Sequence, residues 1–398
     1  MISARALSIA AITTAVTLMS QSGASADANG DWARLVVQYK MVRGAMEPEE
    51  PSPVRSASSF GDSAVVNCTH PLLLDLKSNQ LQAVSVDGAQ AIISTADDGK
   101  GNKYALAATA DKKLAAFVCA NGKWRKHPLP DELQKALQAK PEEHLLTGDA
   151  GTVVVIAAND TFINENGKWR TLPAAGAKKE KLCYRWDMSR AVMRDGRLYY
   201  GISAGEWGGG VNKVDTTTGA TTQVLQDAMQ PVSDLKFGPD GKLWFVVGGA
   251  HMGLRSAALY SYDGHKLQSH CRAQGMYIPK VKAEKVLSDP SLLPAAINDL
   301  SRQESSFSKR ENWDLLPSTF TGLDFDSTGA PVVSAIPYGL LRFKGEKWEQ
   351  LTKDWPEAVS PADVVIKSGM AVVPVRHHGV VTFDMNKKTY RFLFPQKP

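Results

Sequence analysis

The chain has 398 residues, 43% of them hydrophobic and 22% charged, with a formal net charge of +5 at pH 7. That balance describes an ordinary globular protein with enough apolar material for a large core, and it argues against an intrinsically disordered chain. Lys and Arg are scattered among Asp and Glu, with no basic run and no aromatic-basic interleaving. A nucleic-acid partner is therefore not expected.

The N-terminus reads as an export signal. A single basic residue, Arg5, precedes an apolar run from Ala6 to Met19, and a small-residue stretch ends in Ala24-Ser25-Ala26. These are the three regions of a cleaved secretory signal, so residues 1–26 are assigned to it. The run is shorter than a bilayer span needs, and no later stretch reaches about 18 apolar residues. A periplasmic or secreted protein without a membrane span is the expectation. Cys68, Cys119, Cys183 and Cys271 all lie beyond the signal, are even in number, and lack the close spacing of a zinc site. They are disulfide candidates in that compartment, with three pairings open.

Residues 27–58 contain a strand-like segment, Trp32 to Tyr39, suited to completing the last repeat, and a Pro/Glu linker from Glu47 to Pro53. From residue 59 onward a repeat organises the chain. Val232-Ser-Asp-Leu-Lys-Phe-Gly-Pro-Asp-Gly-Lys-Leu-Trp-Phe-Val246 and Phe320-Thr-Gly-Leu-Asp-Phe-Asp-Ser-Thr-Gly-Ala-Pro-Val-Val-Ser334 share one frame: a strand, a tight turn closed by Gly, and a second strand. The same frame recurs from Ala191 to Tyr200 and from Asp363 to Val373. Gly closes these turns because they need positive φ. The pentapeptide Asn-Gly-Lys-Trp-Arg occurs at 121–125 and again at 166–170, with looser versions at Gly345–Trp348 and Tyr262–Lys266. Asn-Gly between strands predicts a second hairpin in each unit.

First-hairpin turns fall near 62, 98, 149, 195, 240, 328 and 368, and most intervals lie between 36 and 52 residues. Four strands per unit at that period predict an all-β propeller. The count is seven blades, with six or eight left open by two degenerate early units. The long interval carries an insertion, 272–318, in which Asp289 and Pro290 suit the start of a helix over Ser291 to Gln303.

The unit Thr321–Gly329, continued through Gly339–Lys344 to Trp348, resembles the repeat of bacterial two-component regulator propellers, which are sensor and ligand-binding modules. Phe237–Phe245 and Asn212–Gly219 resemble virginiamycin B lyase propellers. The second resemblance implies a metal-assisted enzyme with clustered His and Glu. No closely spaced Glu and His pair stands in the corresponding units here.

Calling the strands of a blade A to D from the axis outward, a meander puts A–B and C–D turns on one face. B–C loops and D–A connections occupy the other. The first face carries short Gly turns. The second face gathers Arg185, Trp186 and Asp187, then Glu206 and Trp207 before a glycine run, then His251 and Arg255, Tyr338, Arg376 and His377. Those ten residues are the candidate ligand site, because irregular loops on a rigid scaffold are where binding groups concentrate. His377, His378 and His251 are the candidate metal ligands, although adjacent strand residues point to opposite faces. The glycine run lacks the Lys-Ser/Thr of a phosphate loop, and no Gly-x-Ser-x-Gly elbow appears. The expected function is binding of a small molecule, glycan or envelope protein, with no cofactor. The alternatives are a divalent-metal lyase or lactone hydrolase, and an envelope protein-interaction scaffold. Oligomeric state is left open.

Overall fold

A computed structural model describes residues 56–393, apart from 173–187, 277–318 and shorter loop stretches that include 204–208 and 376–378. The protein is an all-β propeller. Its described strands, β1 to β28 in chain order, form seven four-stranded antiparallel sheets, each a meander of consecutive strands. The sheets cover 56–83, 91–127, 144–171, 188–227, 232–276, 319–350 and 365–393.

The first strand of each sheet is the innermost. These are β1 (Ser56–Phe60), β5 (Ala91–Asp97), β9 (His144–Asp149), β13 (Met188–Arg194), β17 (Val232–Phe237), β21 (Thr319–Phe325) and β25 (Val365–Lys367). Each lies beside the next, and β25 lies beside β1. The last sheet takes all four strands from 365–393 and the first takes its four from 56–83, so neither borrows a described strand from the other end. The ring-closing segment expected at Trp32 to Tyr39, like the helix expected over 291–303, lies outside the described residues.

Turn chemistry explains the spacing. Between β13 and β14 (Arg197–Ser203), Asp195 and Gly196 have φ of 51° and 69°; between β11 (Asp160–Glu165) and β12 (Lys168–Thr171), Asn166 and Gly167 have 53° and 83°. Positive φ at both central residues is the two-residue hairpin turn that matches strand twist. Middle strands are buried on both faces: in β10 (Thr152–Ala157) every residue after Thr152 is buried. This is why Val-Val-Val-Ile-Ala shows no polar alternation. The core consists of clusters shared between neighbouring sheets. Phe245, fully buried, packs with Tyr199 of the preceding sheet and stacks on Tyr260 at 5.3 Å. Burying such a ring contributes on the order of 2 kcal/mol. The outermost strand of the second sheet, β8 (Lys123–His127), is charged, with Lys123, Arg125 and Lys126 exposed. Charge there guards a free sheet edge against pairing with another chain.

Several boundaries move. β1 begins at Ser56, inside the segment assigned to the linker. β20 (Leu267–Met276) continues five residues into the segment assigned to the insertion. A helix unplaced by the sequence reading, α1 (Asp131–Ala139), bridges the second and third sheets. Its Leu133 and Leu137, four residues apart, are fully buried against Leu106, Leu114, Val155 and Phe162. Pro128 and Pro130 before it, with Asp131 and Glu132 in its first turn, are start signals consistent with its position.

The disulfide expectation is corrected for Cys119. Cys119, on β7 (Leu114–Ala120), is a free buried thiol. Cys271 is buried in a cluster of the fifth and sixth sheets, and no disulfide joins it to Cys119. Both side chains are buried within strands of separate sheets, where each fills a small core position. Cys68 and Cys183 lie outside the described residues.

Candidate functional site

The turn face is tied to itself. In C–D turns, Asp215 Oδ1 accepts the N–H groups of Thr217 (2.9 Å) and Thr218 (2.8 Å). Asp263 Oδ1 does the same for His265 (2.8 Å) and Lys266 (2.7 Å). These N–H donors hold both carboxyls below the usual range. In A–B turns, Asp98 Oδ1 takes the N–H groups of Lys100 and Asn102, and Asp326 Oδ1 takes those of Thr328 and Ala330. These carboxylates are engaged in turn structure.

Among the described residues, the opposite face has one projecting feature. The strands β18 (Leu243–His251), β19 (Leu254–Tyr262) and β20 are the longest described. Their ladder runs out to the pairs His251↔Leu254 and Leu254↔Met276. His251 and Arg255 therefore stand in this ladder, on neighbouring rungs, and only Met252 and Gly253 lie between its strands. Gly209 and Gly210, expected in a loop after Trp207, likewise belong to β15 (Gly209–Asp215).

Tyr338 is placed differently from expectation. It is buried, 8% exposed, in the cluster between the fifth and sixth sheets with Trp244, Phe343 and Trp348. Its carbonyl accepts hydrogen bonds from Gln350 Nε2 and Thr352 Oγ1, both 3.1 Å. Arg185, Trp186, Asp187, Glu206, Trp207, Arg376, His377 and His378 lie outside the described residues, as do the side chains of His251 and Arg255. Among the described residues, no three His, Cys, Asp or Glu side chains gather as metal ligands. No described helix is long and apolar enough to cross a membrane.

The most elaborate polar constellation lines the channel, where sequence reading placed nothing. The inner strands β5, β13, β17 and β21 each carry a register shift near their start. Such bulges re-aim side chains. Asp234 follows the bulge of β17. Its Oδ1 accepts the N–H of Leu235 (2.9 Å), and its Oδ2 accepts the N–H of Leu323 on β21 (2.8 Å). Asp324 repeats the pattern, with Oδ1 to Phe325 and Oδ2 to Ile366 on β25 (2.7 Å). Asp363 repeats it again, with Oδ1 to Val364 and Oδ2 to Ala57 on β1 (2.7 Å). Three successive seams are thus stitched by one carboxylate each.

Two cations complete the set. Arg190, in the bulge of β13, lies 3.4 Å from Asp234, pairs with Asp363, and donates to the carbonyl of Ala57 (3.2 Å). Lys236 lies 3.1 Å from Asp324 and donates to the carbonyl of Val364 (3.3 Å). Asp234 and Asp363 are wholly buried, and Arg190 is 24% exposed. Burial lowers the tendency of both cations to stay charged, yet the Asp neighbours outweigh it and both are raised. Arg190 thereby reaches from the fourth sheet across to the seventh and first. The pairing spans 173 positions in sequence, which is why no local signal revealed it.

No protein-family model matches the chain, and no curated protein matches its sequence. Solved structures do resemble its fold. A GH74 enzyme from Niastella koreensis matches with a TM-score of 0.56 at 10% identity, over 86% of this chain and 54% of that one. This chain spans just over half of that enzyme. YCF48 from Cyanidioschyzon merolae (87% of this chain, 97% of that one) and a virginiamycin B lyase from Staphylococcus aureus (88% and 97%) each match with a TM-score of 0.49 at 10% identity. At these identities the likeness concerns architecture alone. The chain is a β-propeller. The propellers that share its architecture differ in function, and the regulator-type resemblance has no family match beside it.

Proposed function

We propose that the chain is an exported binding protein whose seven sheets are the blades of one ring and whose B–C face receives a small molecule, a glycan or an envelope protein. The supporting observation is the contrast between its two faces. One consists of turns whose carboxylates are consumed by their own backbone. The other carries the projecting ladder of the fifth sheet, with His251 and Arg255 on adjacent rungs. From the sequence, Arg185, Trp186 and Asp187 are expected in a D–A connection, which a meander assigns to that same face. Export rests on the signal read in residues 1–26.

Arg190 bears on the form of the site. It crosses the channel and is bound on three sides, and its partly exposed guanidinium is the charged group of that set which a ligand entering from the B–C face would meet. The test is the double variant Trp207→Ala with Arg255→Ala, purified from the export compartment and compared with wild type for co-purifying molecules. Loss of the bound species with an unchanged unfolding curve is expected. Full retention of every bound species places the site elsewhere.

A further inference from the structure

The channel network is saturated on its negative side and open on its positive side. Each carboxylate oxygen of Asp234, Asp324 and Asp363 already accepts a backbone N–H, and Asp234 and Asp363 are wholly buried. The cations are its accessible members, Arg190 being 24% exposed and Lys236 22%. A guanidinium carries five N–H donors and an ammonium three. Among the described residues, Arg190 meets three acceptors: Asp234, Asp363 and the carbonyl of Ala57. Lys236 meets two, Asp324 and the carbonyl of Val364. Both cations therefore keep N–H groups without a described acceptor, on side chains that solvent reaches.

The two cations also stand close together and are held in place. Asp234 and Lys236 are two residues apart on β17, hence on one side of that strand. Arg190 holds Asp234 and Asp363, and Lys236 holds the carbonyl of the next residue, Val364. The clasp of Arg190 and Asp363 on Ala57 fixes the guanidinium, and Asp324 fixes the ammonium. Donors fixed in advance lose little freedom when a ligand arrives. A pair of cationic N–H donors suits a carboxylate, whose hydrogen bonds to charged donors are the strong ones.

We infer that Arg190 and Lys236 form an anion site in the channel, whose ligand is the carboxylate of a small organic acid or an acidic sugar. The site uses no residue of the B–C loops, so it does not depend on what those loops bind. Charge balance gives it a pH dependence. With every group ionised, three carboxylates face two cations, which disfavours an added anion. Asp234 is the group that gives way, because burial raises its carboxyl to about 6 against the pull of Arg190 and with a contribution from Asp363. The charged groups facing it are Arg190 of β13, Lys236 of its own strand and Asp363 ahead of β25, with Asp324 of β21 paired to Lys236. A proton on Asp234 makes the set neutral. A bound carboxylate favours that proton further, so binding takes up a proton and is tighter at low pH.

The experiment is calorimetric titration of the full chain with lactate and with glucuronate, both anionic from about pH 5 to 7.5, against chloride at equal ionic strength. Saturable binding is expected at pH 5, weakening about tenfold by pH 7.5. Binding of lactate assigns a small organic acid, and binding of glucuronate alone an acidic sugar. Lys236→Gln should weaken binding about tenfold. Asp234→Asn should remove the pH dependence. The Trp207→Ala, Arg255→Ala variant should bind both acids as wild type does, and loss of binding there would move the site to the B–C face and overturn the inference. So would the absence of saturable binding at pH 5, an affinity that is flat across the pH range, or an affinity that Lys236→Gln leaves unchanged. Should Lys236→Gln not fold, Arg190→Lys keeps the charge and loses the fork. It should also weaken binding about tenfold, and unchanged affinity overturns the inference.

Discussion

Asp234 on β17 accepts the backbone N–H of Leu323 on β21 at 2.8 Å, so one carboxylate joins the inner strands of two consecutive sheets. The inner strands are sheet edges that face the channel, and their outward N–H groups have no ladder partner. A buried N–H without an acceptor is costly. Asp is the shortest side chain that offers one oxygen to its own strand and one to the next. Asp324 and Asp363 repeat the solution at the following two seams.

Asp324→Ala tests that stitching without touching the clasp on Ala57. It removes the acceptor of the Ile366 N–H and the carboxylate paired with Lys236 at 3.1 Å. A loss of about 3 kcal/mol in unfolding free energy is expected, the cost of orphaning a largely buried charge and an N–H together. Urea unfolding followed by tryptophan emission measures it, and a loss below about 1 kcal/mol would mean that the seams hold without the carboxylate.

The same network sets a pH dependence. Burial pushes Asp234 up to about 6, against the pull of Arg190 and with a contribution from Asp363. A carboxyl whose folded pKa lies above its unfolded value near 3.9 binds its proton more tightly in the folded state. Its contribution is full below about pH 4 and is lost as pH rises through about 6. His127 and His270, lowered by burial, act in the opposite sense, destabilising the fold as pH falls below about 6.5. Comparison with Asp234→Asn isolates the carboxyl. Wild type should lose stability relative to that variant between pH 4.5 and 7. A constant difference would show that Asp234 does not titrate in this window.

Gly322 occupies the close approach of β21 to the seventh sheet. A Cβ there would lie 2.6 Å from the N of Val364 and 2.7 Å from Asp363 Oδ1. Gly322→Ala must displace backbone at the point where Asp363 holds Ala57, and a cost of about 2 kcal/mol is expected. A variant as stable as wild type in chemical unfolding would contradict that packing.

Cys119 gives a direct chemical readout. Buried and free, it should resist iodoacetamide in the native protein and be alkylated on unfolding without any reductant. Peptide mapping that finds Cys119 unmodified until a reductant is added would restore the disulfide reading.

The regular part of the fold was legible because its causes are local. Asp195-Gly196 and Asn166-Gly167 mark hairpin turns through residues that tolerate positive φ, and both are turns in the structure. The channel network was not legible. Asp234 and Asp363 look like ordinary strand residues until bulges and ring closure bring Arg190 between them. Tyr338 was read from its loop position, whereas the rings of Trp348 and Phe343 around it form the seam that draws it inward. α1 had local signals in Pro130, Asp131 and Glu132, and the sequence analysis assigned no element to that segment.

The central claim is binding on the B–C face, and native mass spectrometry with elemental analysis tests it most directly, on protein purified from its native host. The account predicts metal-free protein carrying a small molecule or partner chain that is lost from the Trp207→Ala, Arg255→Ala variant. A stoichiometric divalent metal that disappears when His377 and His378 are replaced would contradict it and assign the face to metal-assisted catalysis.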